Sequence, residues 1–190
     1  MAYTEIEKKN IKAKLMENCE KSWAKYGYKK TNLEELCMHS GISKGGFYLF
    51  FDSKESLFCE VMIAVHKRFV QMIEDNLKAK LDKYQFAEVL KKVYREYIKI
   101  PFLVETTTPD FIAFMNRLSP EKLERLKEHN SYDLRDIIRQ SDLIYQIDEE
   151  LGISALGFVF KPLPKEQRVL SNQYETIDFM IDVLVEKIFV

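Results

Sequence analysis

TNLEELCMHSGISKGGFYLFF, residues 31–51, reads as two short helices joined by a tight turn, and that reading decides the fold. Thr31 is placed to N-cap the first helix, its hydroxyl accepting from a backbone N–H that the helix leaves orphaned. Leu33, Leu36 and Cys37 follow at helical spacing and form one apolar stripe. Gly41 ends this helix where a left-handed residue is wanted. Ile42 plugs the corner, Ser43 caps a second helix, and Phe47, Phe50 and Phe51 give that helix an apolar face. The spacing predicts a helix-turn-helix whose second helix, Ser43–Phe50, lies in the major groove of DNA.

Helical hairpins with a glycine turn are common, so the turn alone does not carry the reading. The polar content of the second helix does. Ser43, Lys44, Gly45 and Gly46 stand at its N-terminus, where backbone N–H groups and the helix dipole attract a phosphate. Two glycines there cost roughly 1 kcal/mol each against alanine. A purely structural hairpin gains nothing from them, whereas a backbone pressed against DNA does. Upstream, Ile11, Leu15, Cys19 and Trp23 fall four apart, and Tyr26 is expected to complete their stripe.

The run GYKKTNLEELCMHSGISKGGFYLFFDSKESLF, residues 27–58, resembles the N-terminal domain of the TetR family of transcriptional regulators. The matching features are the GY pair before the threonine, the SGISKGGFY turn and recognition helix, and the F-x-SKE-x-L opening of the next helix. The resemblance is specific over about the first sixty residues and architectural beyond them. It implies that Thr31 holds a phosphate, that Ser43, Lys44 and Gly45 lie nearest base edges and phosphates, that the Tyr48 hydroxyl reaches the DNA backbone, and that Lys54 binds a phosphate. There are two departures from the family pattern. Gly46 stands where a base-reading side chain is usual, and Leu49 and Phe50 replace an aromatic and a histidine. Phe50 is therefore expected to pack inward and Leu49 to meet a thymine methyl.

Composition points to an all-α chain. Gly and Pro number only 6 and 5 in 190 residues, and long periodic segments dominate. The expected division is a DNA-binding domain at 1–52 and a larger helical effector-binding and dimerisation domain at 53–190. Net charge is −1, but residues 1–54 carry ten Lys against seven acids, +3, and residues 55–190 nineteen Lys or Arg against twenty-three acids, −4. The positive half is the expected DNA-binding half. The longest apolar stretch, Ile153–Phe160, is too short to span a bilayer, and the charged N-terminus does not read as a signal peptide. Cys19, Cys37 and Cys59 lie on apolar stripes, which suits a reduced, cytoplasmic protein. His39, His66 and His129 are scattered, and no paired-carboxylate, nucleophile–base or metal-ligand constellation is present. Neither an enzyme nor a cofactor is expected.

A fourth helix is expected from Ser53 to about Leu81, with Leu57, Val61, Val65, Phe69, Ile73, Leu77 and Leu81 every four residues. Further helices are expected over Gln85–Ile100, Phe111–Leu118, from Ser119 onward, Asp133–Gln146, Glu149–Phe160 and, after a loop broken by Pro162 and Pro164, Lys165–Ile188. Phe69, Tyr94, Tyr97, Phe102, Phe111, Phe114 and Met115 are the richest aromatic concentration. The resemblance implies an effector pocket, and these residues are its candidate lining. It also implies that the last two helices dimerise the chain, with Leu156, Phe158, Tyr174, Ile177, Ile181 and Leu184 as candidate interface. Together these readings describe a ligand-controlled repressor, a homodimer that binds a pseudo-palindromic operator and is released by a small apolar or amphipathic effector. A helical protein–protein adaptor is the competing reading. It would show no salt-dependent DNA binding.

Overall fold

A computed structural model describes residues 3–77, 81–130, 134–139, 141–161 and 172–190, and the fold they form is all-α. The chain divides into two compact units: Met1–His66 with Thr106–Asn130, and Lys67–Glu105 with Ser131–Val190. The boundary expected between residues 52 and 53 falls inside the first of them.

The first unit opens with α1 (Glu5–Lys30), started by a capping box in which Thr4 and Glu7 satisfy each other's backbone N–H groups. Its buried stripe is Leu15, Cys19, Trp23 and Tyr28. Tyr26, expected on that stripe, is instead exposed. The reason is Gly27, whose φ of +82° breaks the helix and rotates the next residue, Tyr28, inward in place of Tyr26. Then come α2 (Leu33–His39) and α3 (Lys44–Phe47), joined through Gly41 at φ +77°. The α2 cap is a correction: Asn32, not Thr31, accepts from the Glu34 N–H, at 2.8 Å. The second helix is also shorter than Ser43–Phe50, since residues 48–50 continue as turns after Phe47.

The opening of α4 (Lys54–Leu77) follows, with Ser53 Oγ accepting from the Ser56 N–H at 3.1 Å. This helix was expected to reach Leu81. Residues 78–80 lie outside the described residues, and Leu81 is not helical. The first unit is completed by α7 (Pro109–Met115) and α8 (Pro120–Asn130), after α5 (Lys83–Tyr97) and the single turn of α6 (Pro101–Val104). Thr108 caps α7, and Pro109 at its first position fits a helix start. Trp23, Phe58 and Phe114 meet in the core, with ring centroids 4.6 Å apart for Trp23–Phe58 and 5.1 Å for Trp23–Phe114.

In the second unit, α5 packs against α11 (Gln173–Ile188), and α10 (Glu149–Val159) packs against α11 and the short α9 (Leu134–Arg139). Phe86, Leu90, Leu156, Ile181, Val185 and Phe189 form the floor of the core. An ion ladder runs up the α5–α11 seam. Lys83 meets Glu186 at 3.0 Å, Lys91 meets Asp182 at 2.6 Å, and Arg95 meets Asp178. Rising residue numbers on α5 (83, 91, 95) meet falling ones on α11 (186, 182, 178), so the two run antiparallel. Gly152 is required by packing: a Cβ there would sit 2.9 Å from Ile188 Cγ2.

The helix expected over Asp133–Gln146 ends at Arg139. Ser141 Oγ donates to the Ile138 carbonyl at 2.6 Å and accepts from the Leu143 N–H at 3.3 Å, a local alternative to the helical ladder. The chain then runs extended and pairs with the C-terminus, Gln146 N–H to the Ile188 carbonyl at 2.9 Å and Val190 N–H to the Ile144 carbonyl at 3.0 Å. The Pro162–Pro164 loop and the expected helix start at Lys165 lie outside the described residues.

Candidate nucleic-acid interface

The four-residue helix α3 presents the candidate site. Phe47 is fully buried and anchors α3 from beneath, stacked on Phe51 at 5.6 Å. Ser43 Oγ accepts from the Gly46 N–H at 3.1 Å and so starts the helix. What remains faces outward. Ser43, Lys44 and Gly45 are exposed, Tyr48 is 56% and Leu49 72% exposed, and Phe50 is half-buried beside Tyr3.

Neither glycine of α3 is demanded by the fold. Both have ordinary negative φ. A Cβ on Gly45 would meet only Ser43 Oγ at 3.8 Å, and one on Gly46 would meet ordinary contacts from 3.5 Å outward. Lys44 is tied across to Glu34 at 2.9 Å, both side chains exposed, and this hydrogen bond and charge push the ammonium pKa upward. Such an exposed surface pair is weak and yields readily to a competing anion.

Two of the residues expected at phosphates, Thr31 and Lys54, also bond inward. Thr31 is 2% exposed, its hydroxyl donating to the Gly27 carbonyl at 2.7 Å and its N–H reaching the same oxygen at 3.2 Å. These bonds tie Thr31 into the turn from α1 into α2. Lys54 is half-buried and donates to the Tyr28 carbonyl at 2.6 Å, with its ammonium over the Tyr28 ring at 4.5 Å. Burial pulls its pKa below the usual lysine range.

The sequence reading missed the partners of Tyr28. Its N–H and that of Lys29 donate to the Asp110 carboxylate, its carbonyl accepts from Lys54, and its hydroxyl donates to Glu55. Burial first and then the Glu55 carboxylate push the Tyr28 phenol up to about 12. Burial would raise Glu55, but the Tyr28 hydroxyl, a backbone N–H, Arg117 and Lys54 outweigh it and hold the carboxyl below its ordinary range. No sequence signal links Asp110 to Gly27, because eighty-two residues separate it from Tyr28.

The aromatic set proposed for an effector pocket is divided. Phe111 and Phe114 are buried in the first unit beside Trp23 and Tyr28, with half-buried Met115 on the same helix. Phe69, Tyr94 and Tyr97 lie in the second, where Tyr97 stands 5.8 Å from Phe69 and 6.4 Å from Phe160, and Tyr94 5.9 Å from Phe160. Phe102 is buried on α6. The candidate dimer residues divide as well. Leu156, Ile177 and Ile181 are core, Leu184 is half-buried, and Phe158 and Tyr174 are exposed. The outward apolar positions are Leu151 and Phe158 on α10 and Phe179, Met180 and Val183 on α11, each 41% to 68% exposed. A groove of about 720 Å³ between α5 and α11 adjoins Phe179 and Val183.

The three cysteines are buried and free of disulfides. Among the described residues no helix is long and apolar enough to cross a membrane, and no group of three His, Cys, Asp or Glu could hold a metal.

The family model for bacterial regulatory proteins of the tetR family matches residues 15–61. Two HTH-type transcriptional regulators of Bacillus subtilis, both uncharacterised, are similar in sequence. YerO is 38% identical over 84 residues, 43% of this chain and 28% of that protein, and YuxN is 30% identical over 140 residues, 73% of this chain and 44% of that protein. The chain thus matches less than half the length of these relatives. Among solved structures, the regulator FadR of Bacillus subtilis in complex with stearoyl-CoA superposes with a TM-score of 0.63 at 16% identity, over 92% of this chain and 98% of that one. At that identity the likeness is one of fold.

Proposed function

We propose, since this chain belongs to the TetR family of bacterial regulatory proteins, that it is a transcriptional repressor whose first unit reads duplex DNA. The observation that carries this reading is the face presented by α3 and the turn after it: a four-residue helix fixed by one buried phenylalanine, with an exposed lysine and two unforced glycines, followed by an exposed tyrosine and leucine. Lys44 and the Gly45–Gly46 backbone read base edges, Leu49 meets a thymine methyl, and Tyr48 and Lys54 hold phosphates that set the register. The DNA-binding domain is residues 1–52, and residues 53–190 bring effector binding and dimerisation.

The chain acts as a homodimer, because two half-sites one helical turn apart need two copies of α3. Leu151, Phe158, Phe179, Met180 and Val183 supply the interface. These exposed apolar side chains replace the core residues Leu156, Ile177 and Ile181 in that role. The effector is an apolar or amphipathic molecule of the acyl type, entering beside Phe69, Tyr97 and Phe160. The FadR structure with stearoyl-CoA offers the precedent. By linkage, an effector that favours one conformer lowers DNA affinity only as far as it prefers that conformer.

Selection from a random duplex pool at two salt concentrations tests the reading. An inverted repeat should be enriched, with affinity falling steeply as salt rises. No enrichment, with weak and salt-insensitive binding, would rule the DNA reading out.

A further inference from the structure

We propose that Asp110 is a positioning residue for DNA reading, a carboxylate on α7 that sets the direction in which α2 and α3 leave α1. The inference rests on the DNA-binding reading and adds to it a residue far from the helix-turn-helix in sequence.

The break at Gly27 creates the need. A left-handed residue ends the regular ladder of α1 and leaves the next N–H groups in want of acceptors. Tyr28 is 3% exposed, so water does not serve its N–H. Asp110 supplies both acceptors from one carboxylate: Oδ2 accepts from Tyr28 N–H at 2.5 Å and Oδ1 from Lys29 N–H at 3.0 Å. Bonds of this kind, backbone N–H to a charged oxygen, are short and strong.

The fit is reciprocal. A Cβ on residue 27 would lie 2.6 Å from Asp110 Oδ2 and 3.0 Å from its Cγ, so the carboxylate occupies space that only glycine leaves open. Downstream of the clamp little is free to turn. The Tyr28 carbonyl is held by Lys54, its hydroxyl by Glu55, and its ring packs on Phe58 at 5.1 Å and Phe114 at 5.4 Å. Thr31 returns both its N–H and its hydroxyl to the Gly27 carbonyl, and Asn32 then caps α2. Apolar contact holds helices together without fixing a direction. The bonds made by the N–H groups of Tyr28 and Lys29 supply the direction, and Asp110 accepts both from outside the helix-turn-helix.

The test compares Asp110→Asn with wild type on the duplex that wild type selects and on a duplex of unrelated sequence. Asn keeps the size and one acceptor, but turns an N–H2 donor toward a backbone N–H. At 25 °C the variant should keep wild-type circular dichroism. Its affinity for the selected duplex should fall about tenfold, because α3 no longer meets the bases in its wild-type direction, while its affinity for the unrelated duplex stays within about twofold. A merely structural residue would lower thermal stability and leave that ratio unchanged. Asp110→Glu, which keeps the charge and moves the carboxylate by one methylene, serves with the same expectation if the Asn variant does not fold. In a second arm, Gly27→Ala and Asp110→Ala should be non-additive, because removing the carboxylate makes room for the new methyl. A wild-type preference in the folded Asp110 variants, or strict additivity in the cycle, overturns the inference alone. If wild type selects no duplex, the DNA reading fails first and the inference falls with it.

Discussion

Each of the two units has its own means of internal cohesion. In the first, the decisive contacts are part-buried and polar: a carboxylate closing a helix break, a lysine on a carbonyl, a tyrosine hydroxyl on a glutamate, all around an aromatic core of Trp23, Tyr28, Phe58 and Phe114. In the second, an apolar seam between α5, α10 and α11 is edged by an ion ladder, and large apolar side chains are left outside. Directional bonds specify an angle; apolar seams specify contact. A DNA reader needs the first, since a small tilt misplaces base contacts. A surface for association and for varied ligands is served by the second.

The largest way to break this contrast is Phe114→Ala. Phe114 is fully buried, and its loss should cost about 3–5 kcal/mol. Chemical denaturation followed by Trp23 fluorescence should record it, although residue 114 lies far outside the helix-turn-helix. A loss under about 1 kcal/mol would mean that 106–130 is peripheral to the first unit.

The next effect is a pH dependence. The Tyr28 phenol is pushed up to about 12 from 10.0, and burial raises the Cys59 thiol to about 11 from 9.0. Both groups keep their protons longer folded than unfolded. They therefore contribute stability below their ordinary values that is lost as pH rises from about 9 to about 12, on the order of 2 kcal/mol for Tyr28. All the described acids pushed upward, Cys19, Tyr28, Cys37 and Cys59, lie in the first unit. Alkaline titration should expose Trp23 and its neighbours to amide exchange before α5 and α11. Loss of protection in α5 and α11 first would contradict the contrast.

Legibility followed the same division. The hairpin could be read because its signals are local: Gly41, Ser43 and the apolar positions that flank them are within a few residues of what they cap or contact. The class of the second unit, and most of its helices, were legible from apolar periodicity. Periodicity does not say which of two apolar stripes faces inward. On α11, Ile177 and Ile181 looked as suited to a partner as Phe179 and Val183, and only packing against α5 and α10 separates them. Likewise Phe111 and Phe114 resemble Tyr94 and Tyr97 in composition, yet the chain returns the first pair to a different core. Thr31 and Lys54 were recognised as important residues, but their inward bonds depend on Gly27 and Tyr28, whose conformation no local pattern encodes. The short reach of Ser141 back to Ile138, which ends α9, is equally invisible to a periodicity argument.

The smallest effect on stability tests the central claim most directly. Gly46→Ala meets open, ordinary contacts in the folded chain and removes a helix-weakening residue, so it should stabilise the protein by up to about 1 kcal/mol. The measurement is binding of wild type and Gly46→Ala to the selected duplex, alongside their thermal unfolding. The account predicts a variant that melts no lower than wild type and binds the duplex at least about tenfold more weakly, because the added methyl holds the α3 backbone off the bases. A variant that is stabilised and binds as wild type does would contradict the claim that this face reads DNA.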